Sequence, residues 1–178
     1  MSSSVSRRRF LHGLGAAAVA PLAVSNALAQ GRKLRHASFG ANGMAWSDIR
    51  GFSDHPAFEL VAVADSDLSR TANVKKQFPN ARIYQDWREL LRVEGPNLDT
   101  VNVSTPDHMH APIALAAMSM DKHVYLQKPM ALTVRETRLL AQVARDRRLV
   151  TQMGIQISSD KTQIAAEALV RSGAIGKV

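Results

Sequence analysis

Cysteine is absent from this 178-residue sequence. Its absence excludes disulfide bonds, cysteine-ligated zinc and thiol catalysis. It is compatible with an oxidising compartment but does not establish one. Aromatic residues are also scarce, at 5% of the chain, and none is interleaved among the basic residues of the later helices, which are Arg135, Arg138, Arg145, Arg147 and Arg148. This pattern favours a solvated basic face over nucleic-acid binding.

Long, strongly apolar runs are missing as well. The apolar segment at 13–28 is mild and is interrupted by Gly, Pro, Ser and Asn. It follows a twin-arginine pattern, SRRRFL at 6–11, and ends at the small-residue sequence Ala27-Leu28-Ala29. These features favour a twin-arginine signal peptide over residues 1–29 rather than a transmembrane anchor. We therefore expect recognition by the twin-arginine translocase, a periplasmic or secreted location, and no stable membrane insertion after cleavage.

Removal of the signal leaves 149 of the 178 residues, enough for one domain with a proper core. The remaining residues contain 20 of the 23 Lys and Arg and all 15 acidic residues, so the net charge falls from +8 to +5. Predicted strands lie at 34–39, 59–64, 82–84, 98–103, 123–126 and 149–153. Predicted helices lie at 46–52, 67–78, 87–92, 112–120, 133–147 and 160–172. Near-continuous apolar strands separated by helices predict an α/β fold with a doubly wound parallel sheet, the Rossmann type.

The first strand-to-helix turn of this predicted sheet has the sequence GANGMA, from Gly40 to Ala45. It matches the dinucleotide fingerprint G-x-G-x-x-G/A in part. Gly40 would make the tight turn, and Ala45 would let helix and strand approach closely. Asn42 replaces the second glycine, with Gly43 displaced by one residue, and asparagine tolerates a left-handed backbone. We expect this turn, including Met44, to bind the phosphates of a dinucleotide, although glycine-bearing turns are common in α/β folds.

An acidic residue strengthens this prediction. Asp65 follows the apolar strand VAVA and lies 20 residues after Ala45, where the fingerprint places the acid that binds the adenosine ribose. Capping of the following helix is the alternative role, but Ser66 or Asp67 can serve as the cap. A carboxylate at this position would repel a 2′-phosphate. The sequence therefore predicts NAD rather than NADP, and nearby Arg70 keeps NADP open.

Two loops follow neighbouring predicted strands, Thr105 to His110 and Gln127 to Pro129. In an open parallel sheet, that edge is where ligands bind. This position favours a functional Lys128 over an ordinary surface lysine. His108 and His110 form a His-x-His pair, but no matching set of carboxylates and histidines accompanies them, so we predict no metal site.

Two further residues have competing interpretations. His110 is predicted to contact a cofactor, with a hydrogen bond to backbone as the alternative. Gln156, just after the last predicted strand, is a candidate for substrate contact.

With these residues assembled, the chain from Lys33 to Val178 resembles the N-terminal domain of the Gfo/Idh/MocA family (glucose-fructose oxidoreductase, inositol dehydrogenase and rhizopine catabolism). The motifs that carry the resemblance are STPDHMH at 104–110, KHV at 122–124, Lys128-Pro129 and SGAIGKV at 172–178. It implies that Lys128 approaches the substrate hydroxyl or carbonyl, and that Thr105, Pro106, His110 and Gln127 belong to the cofactor site. The family usually carries Glu-Lys-Pro, and Gln127 cannot stabilise a lysine cation as a carboxylate would.

The resemblance also implies a function. It indicates an NAD(P)-dependent oxidoreductase that acts on a sugar or polyol by hydride transfer and is a homo-oligomer when full-length. A redox-neutral glycosidase that retains NAD and a non-catalytic dinucleotide-binding module are the alternatives. The family's C-terminal α+β substrate domain is absent from the sequence, which looks like a fragment of a two-domain enzyme. We therefore expect the chain to bind dinucleotide but to turn over poorly alone.

Overall fold

The computed structural model describes residues 31–177, so the predicted signal peptide lies outside the described residues. This part folds around one six-stranded parallel sheet with the strand order 3-2-1-4-5-6. The strands are β1 (Leu34–Phe39), β2 (Phe58–Ala64), β3 (Arg82–Tyr84), β4 (Thr100–Val103), β5 (His123–Gln127) and β6 (Thr151–Gly154). The α-helices are α1 (Met44–Ser53), α2 (Ala72–Gln77), α3 (Trp87–Glu94), α4 (His110–Ser119), α5 (Val134–Asp146) and α6 (Lys161–Arg171). The predicted doubly wound α/β fold is confirmed.

The strand order places the ligand-binding edge of the sheet. The chain moves outward from β1 to β2 and β3, then returns to β4 on the other side of β1. In such sheets, ligands bind beyond the carboxyl ends of the strands at this reversal of direction. The turn after β1 and the loop after β4 therefore face each other across one crevice.

Helices cover the sheet on both faces. One face packs against α3, α4 and α5 through a large apolar cluster that includes Phe39, Val101, Ile113 and Leu140. The other face packs against α1 and α2 through a smaller cluster that includes Ile49, Val63 and Val74. These buried strand residues form near-continuous apolar runs because both faces exclude water.

Three of the differences between predicted and observed elements have local reasons. Strand β4 begins at Thr100, because a 3₁₀ turn at Gly95–Asn97 precedes it. Strand β6 begins at Thr151, because Arg148 adopts a left-handed backbone with φ 54° and the Leu149 amide still bonds to the helical Ala144 carbonyl. The predicted helix at 67–78 is divided into a 3₁₀ turn at Leu68–Thr71 and α2.

Helix α6 differs from the other helices in its packing. It begins at the N-cap Asp160, whose side chain accepts the Thr162 amide, yet its residues are exposed. The exposed side chains include Ile164, Leu169 and Val170. Among residues 31–177, no helix is both long enough and apolar enough to cross a membrane.

Candidate functional site

The turn after β1 is shaped by close contact with its neighbours. Gly40 has a φ of 105°, a conformation that only glycine adopts at little cost. A Cβ placed at Gly40 would lie 2.7 Å from the Ser104 carbonyl oxygen and 2.8 Å from the Ala45 Cβ. Ala45 is fully buried, as the fingerprint requires of a small residue at the helix–strand contact. The turn therefore has the close approach of helix and strand that was predicted for Gly40 and Ala45.

One detail of the predicted turn is corrected. The left-handed backbone expected at Asn42 lies at Gly43, whose φ is 58°. Asn42 instead uses its side chain, whose Oδ1 accepts the Gly43 amide at 2.8 Å. Gly43 therefore adopts the left-handed backbone of the turn, and the Asn42 side chain stabilises the turn.

Helix α1 begins at Met44, directly after this turn, and no side chain caps its N-terminus. The first amides of a helix lack intrahelical acceptors and carry part of the helix dipole. They are therefore suited to bind an anion such as a pyrophosphate. Gly43 and Met44 lie at the expected position for this role.

Asp65 follows β2, and its carboxylate links the loop after β2 to the turn after β1. Its carboxylate accepts the Ala41 amide and the Asp67 amide, each at 3.0 Å. Capping of the following 3₁₀ turn falls to Asp67, which accepts the Ser69 amide at 3.0 Å. The guanidinium Nε of Arg70 lies 3.7 Å from Asp65, so a positive charge borders the carboxylate.

A cleft of about 540 Å³ lies between these turns and the loop after β4. Its lining includes Gly40, Asp65, Trp87, Thr105 and Pro106. Within the described part of the chain, the Trp87 Nε1 and the Thr105 Oγ1 are buried without a hydrogen-bond partner. Buried polar groups are normally paired, so orphaned ones in a cleft indicate a place for ligand polar atoms. Together with the turn at Gly40, this cleft fits a dinucleotide.

A smaller pocket of about 160 Å³ continues from the cleft toward β5. It is lined by Met44, Ser104, Thr105, Asp107, His110, Gln127 and Lys128. The structure thus brings together the predicted residues of the two loops after β4 and β5. Lys128 is exposed at this pocket, while Gln127 is buried.

His110 joins the two loops. Its ring is 1% exposed, with Nδ1 at 2.6 Å from the Pro129 carbonyl oxygen and Nε2 at 2.9 Å from the Thr105 carbonyl oxygen. Both nitrogens are therefore engaged with backbone. The histidine ties the loop after β4 to the Lys128-Pro129 segment, and its predicted contact with a cofactor stays a prediction.

Sequence reasoning missed Asp48, a buried carboxylate on α1. It accepts the Ser104 hydroxyl at 2.7 Å and the Gln127 amide at 2.9 and 3.1 Å. Ala45, Asp48 and Ile49 are the buried residues of α1, which places Asp48 on the helix face toward the sheet. An acid on the apolar face of a predicted helix was the available signal.

Asp48 also ends a row of buried and half-buried polar side chains across the sheet. Along this polar row, Thr100 lies 2.7 Å from His36, His36 lies 2.9 Å from Asn102, and Asn102 donates to Ser104 at 2.8 Å. Ser104 then donates to Asp48. Burial lowers the pKa of His36 to about 4, against a weaker upward effect of its bond to Asn102.

The remaining predicted residues lie nearby but make looser contacts. The Gln156 amide is 3.5 Å from both the Met44 sulfur and an Asp48 oxygen, so it borders the start of α1. His108 is exposed beside the larger cleft and does not join His110. Among residues 31–177, no three His, Asp or Glu side chains are grouped closely enough to hold a metal.

Comparison with known proteins identifies the family of the chain. Residues 34–155 match the model of the Gfo/Idh/MocA family, described as an oxidoreductase family with an NAD-binding Rossmann fold. The levoglucosan dehydrogenase of Pseudarthrobacter phenanthrenivorans is 28% identical over 123 residues, which are 69% of this chain and 30% of that protein. The inositol 2-dehydrogenase of Rubrobacter xylanophilus is 33% identical over 123 residues, 68% of this chain and 34% of that protein.

A third relative and a solved structure extend the match. A glycosyl hydrolase family 109 protein of a Shewanella species is 28% identical over 148 residues, 78% of this chain and 32% of that protein. The crystal structure of GenD2 from gentamicin A biosynthesis in complex with NAD superposes with a TM-score of 0.72 at 25% identity, covering 80% of this chain and 40% of that one. The chain spans about a third of the length of the curated relatives it matches. The chain belongs to the Gfo/Idh/MocA oxidoreductase family, and residues 34–155 form its NAD-binding Rossmann domain.

Proposed function

We propose that this chain forms the NAD half-site of an oxidoreductase that acts on a hydroxyl or carbonyl of a sugar or polyol. The observation that carries the proposal is the meeting of three elements at one edge of the sheet: the turn at Gly40, the carboxylate of Asp65 and the loop bearing Lys128. Two of the relatives are named as dehydrogenases of levoglucosan and of inositol, which supports a sugar or polyol substrate.

The phosphates would bind at the start of α1 and the adenosine ribose at Asp65. The uncapped amides at Gly43 and Met44 supply donors for the phosphates. The Asp65 carboxylate lines the cleft, and its 12% exposed side chain can accept a ribose hydroxyl in addition to the Ala41 and Asp67 amides. The Asp65 carboxylate would repel a 2′-phosphate, so we propose NAD as the preferred cofactor. The neighbouring Arg70 guanidinium would reduce the preference for NAD over NADP.

Lys128 is proposed as the catalytic residue, and Gln156 as a neighbouring substrate contact. Bound NAD supplies the hydride acceptor or donor. The Lys128 ammonium can polarise a substrate carbonyl, and its neutral amine can take the proton from a hydroxyl as the C–H bond breaks. His110 and Gln127 hold the segment that carries this lysine. Thr105 and Pro106 would line the nicotinamide side of the pocket.

Cofactor preference tests the binding half of this proposal. Calorimetric titration of the chain with NAD and NADP should give tighter binding of NAD. Asp65→Asn removes the charge while keeping an oxygen acceptor, and should reduce the preference by roughly 1–3 kcal/mol. Asp86→Asn is the matched control, because Asp86 caps α3 through the Arg88 amide outside the cleft lining. Equal or tighter binding of NADP by the unaltered chain would contradict the assignment.

Turnover tests the catalytic half. In the full-length protein, Lys128→Ala should lower kcat on a sugar or polyol by about two to four orders of magnitude. The affinity for NAD should change little, because phosphate and ribose contacts lie elsewhere. Lys122→Ala is the control, since Lys122 donates to the Leu98 carbonyl on the opposite edge of the sheet. An unchanged kcat would show that Lys128 takes no part in catalysis.

A redox-neutral glycosidase is the second candidate function. A match over 148 aligned residues, covering 78% of this chain, is to a glycosyl hydrolase family 109 protein. Release of an aryl glycoside's phenol with no net NADH formed would support this reading. Stoichiometric NADH from an unsubstituted polyol would support the dehydrogenase.

A further inference from the structure

Asp48 on α1 and Gln127 at the end of β5 are two buried residues that contact each other. Asp48 is 7% exposed and Gln127 is 3% exposed. The Gln127 amide nitrogen lies 2.9 and 3.1 Å from the two Asp48 carboxylate oxygens, so it donates to both. The Ser104 hydroxyl donates to the same carboxylate at 2.7 Å. A carboxylate only accepts hydrogen bonds, and its neighbours here supply donors.

The other end of Gln127 faces Lys128. The Gln127 side-chain oxygen accepts the Lys128 backbone amide at 3.3 Å. One side chain therefore links the carboxylate of α1 to the backbone of the residue proposed to meet substrate. The pair joins two elements that come from distant parts of the sequence.

Gly154 leaves room for this contact, and the negative charge of Asp48 acts on Tyr125. A Cβ at Gly154 would lie 2.8 Å from the Gln127 amide nitrogen and 2.7 Å from the Tyr125 hydroxyl. Glycine on β6 therefore permits the amide to reach Asp48. Burial raises the pKa of the Tyr125 hydroxyl, and the negative charge of Asp48 raises it further.

We infer that Asp48 and Gln127 act as one unit that positions Lys128, with the negative charge placed on α1 and the amide on β5. The role of Lys128 rests on the proposed function, whereas the pairing rests on the contacts alone. The pairing explains why glutamine stands at position 127. A glutamate there would set two acceptor-only groups about 3 Å apart in a buried site, with no donor between them.

A swap of the two side chains tests the unit. Gln127→Glu should lower the Tm of the chain by ~5 °C or more, because it buries two facing carboxylates. The double variant Asp48→Asn with Gln127→Glu restores one carboxylate and one amide in reversed order. Its Tm should return to within ~2 °C of the unaltered chain.

The control is Glu94→Gln. Glu94 is another buried carboxylate, 2% exposed, and it is bonded to Arg82 and Tyr84 away from both pockets. This change should lower the Tm while leaving the Lys128 backbone amide signal in a ¹⁵N–¹H spectrum unmoved. Gln127→Glu should shift that signal, and the double variant should bring it back. Gly154→Ala should shift it too, through displacement of the Gln127 amide.

The inference is overturned if Gln127→Glu melts with the unaltered chain, or if the double variant is no better than Gln127→Glu. Should Gln127→Glu alone fail to fold, folding of the double variant decides the matter, because the unit requires that rescue. In the full-length protein, Gln127→Glu should lower kcat at saturating NAD by about tenfold or more, and the double variant should recover most of that loss. Failure of the unaltered chain to bind NAD would count against the proposed function and not against the pairing.

Discussion

Replacement of Gly40 by alanine should be among the most damaging single-methyl changes in this chain. The φ of 105° at Gly40 is strained for any residue with a Cβ. The added carbon would also lie 2.7 Å from the Ser104 carbonyl oxygen and 2.8 Å from the Ala45 Cβ. One is backbone and the other lies on the first turn of α1, so neither can rotate away. The helix or the loop after β4 must move.

The expected magnitude follows from these two effects. Backbone strain of this kind costs ~1–3 kcal/mol, and overpacking of a tight contact costs ~1–3 kcal/mol. Together they predict a loss of about 2–6 kcal/mol in the free energy of unfolding. For a domain of this size, the corresponding fall in Tm is about 10 °C. Affinity for NAD should fall as well, because the start of α1 is displaced from the turn.

Thermal melts and calorimetric titration with NAD measure both effects. The matched control is Gly51→Ala, which adds the same methyl group inside α1, where nothing lies within 4 Å of the new carbon. That change should leave NAD binding intact and raise stability by ~0.5–1 kcal/mol, because alanine favours helix. If Gly40→Ala melted within about 1 °C of the unaltered chain, the argument from close approach would be wrong.

Three other predictions concern His36, His110 and the arginines of the predicted signal peptide. Burial lowers the pKa of His36 to about 4 from 6.5, so the unfolded chain binds more protons than the folded chain between these pH values. The protein should therefore lose about 3 kcal/mol of stability as the pH falls from 6.5 to 4. Denaturant melts of His36→Asn should show a smaller loss over the same pH range. His110→Phe keeps the ring volume but removes the ring N–H that donates to one of the Thr105 and Pro129 carbonyl oxygens, so it should cost ~1–3 kcal/mol in denaturant melts, and an unchanged midpoint would contradict the role given to the ring. Replacement of Arg7, Arg8 and Arg9 by lysine should retain the precursor inside the cell in a fractionation assay, and continued export would exclude the twin-arginine route.

Local patterns were sufficient to predict the sheet and the turn at its centre. The apolar runs of β1 and β2, with Gly40 and Ala45 at fixed spacing after β1, depend on residues close in sequence, and the fold confirms the prediction. The ends of the strands and helices depend on backbone conformations that the sequence pattern does not show. The left-handed Arg148 delays β6 by two residues, and such a backbone at arginine has no sequence signature.

The candidate site was predicted less completely, because part of it is tertiary. The glutamine at 127 looked like a defect when considered alone, since a neutral amide replaced an expected carboxylate. Its partner Asp48 lies 79 positions earlier in the chain. Spacing along the sequence cannot reveal a contact of that separation. The position of Asp48 on the inward face of α1 was visible, but the residue that it meets there required the folded sheet.

The polar row from Thr100 through His36 and Asn102 to Asp48 has a consequence for how the strands find their partners. Apart from this row, Arg35 and Ser38, strands β1 and β4 are apolar, and apolar side chains tolerate many alignments. In the observed register His36 stands beside Thr100 and Ser38 beside Asn102. A slip of one residue would turn these polar groups toward the apolar cluster on the opposite face, and each unpaired group would cost ~1–3 kcal/mol. The row thus selects one alignment of the central strands out of several that hydrophobic burial alone would accept.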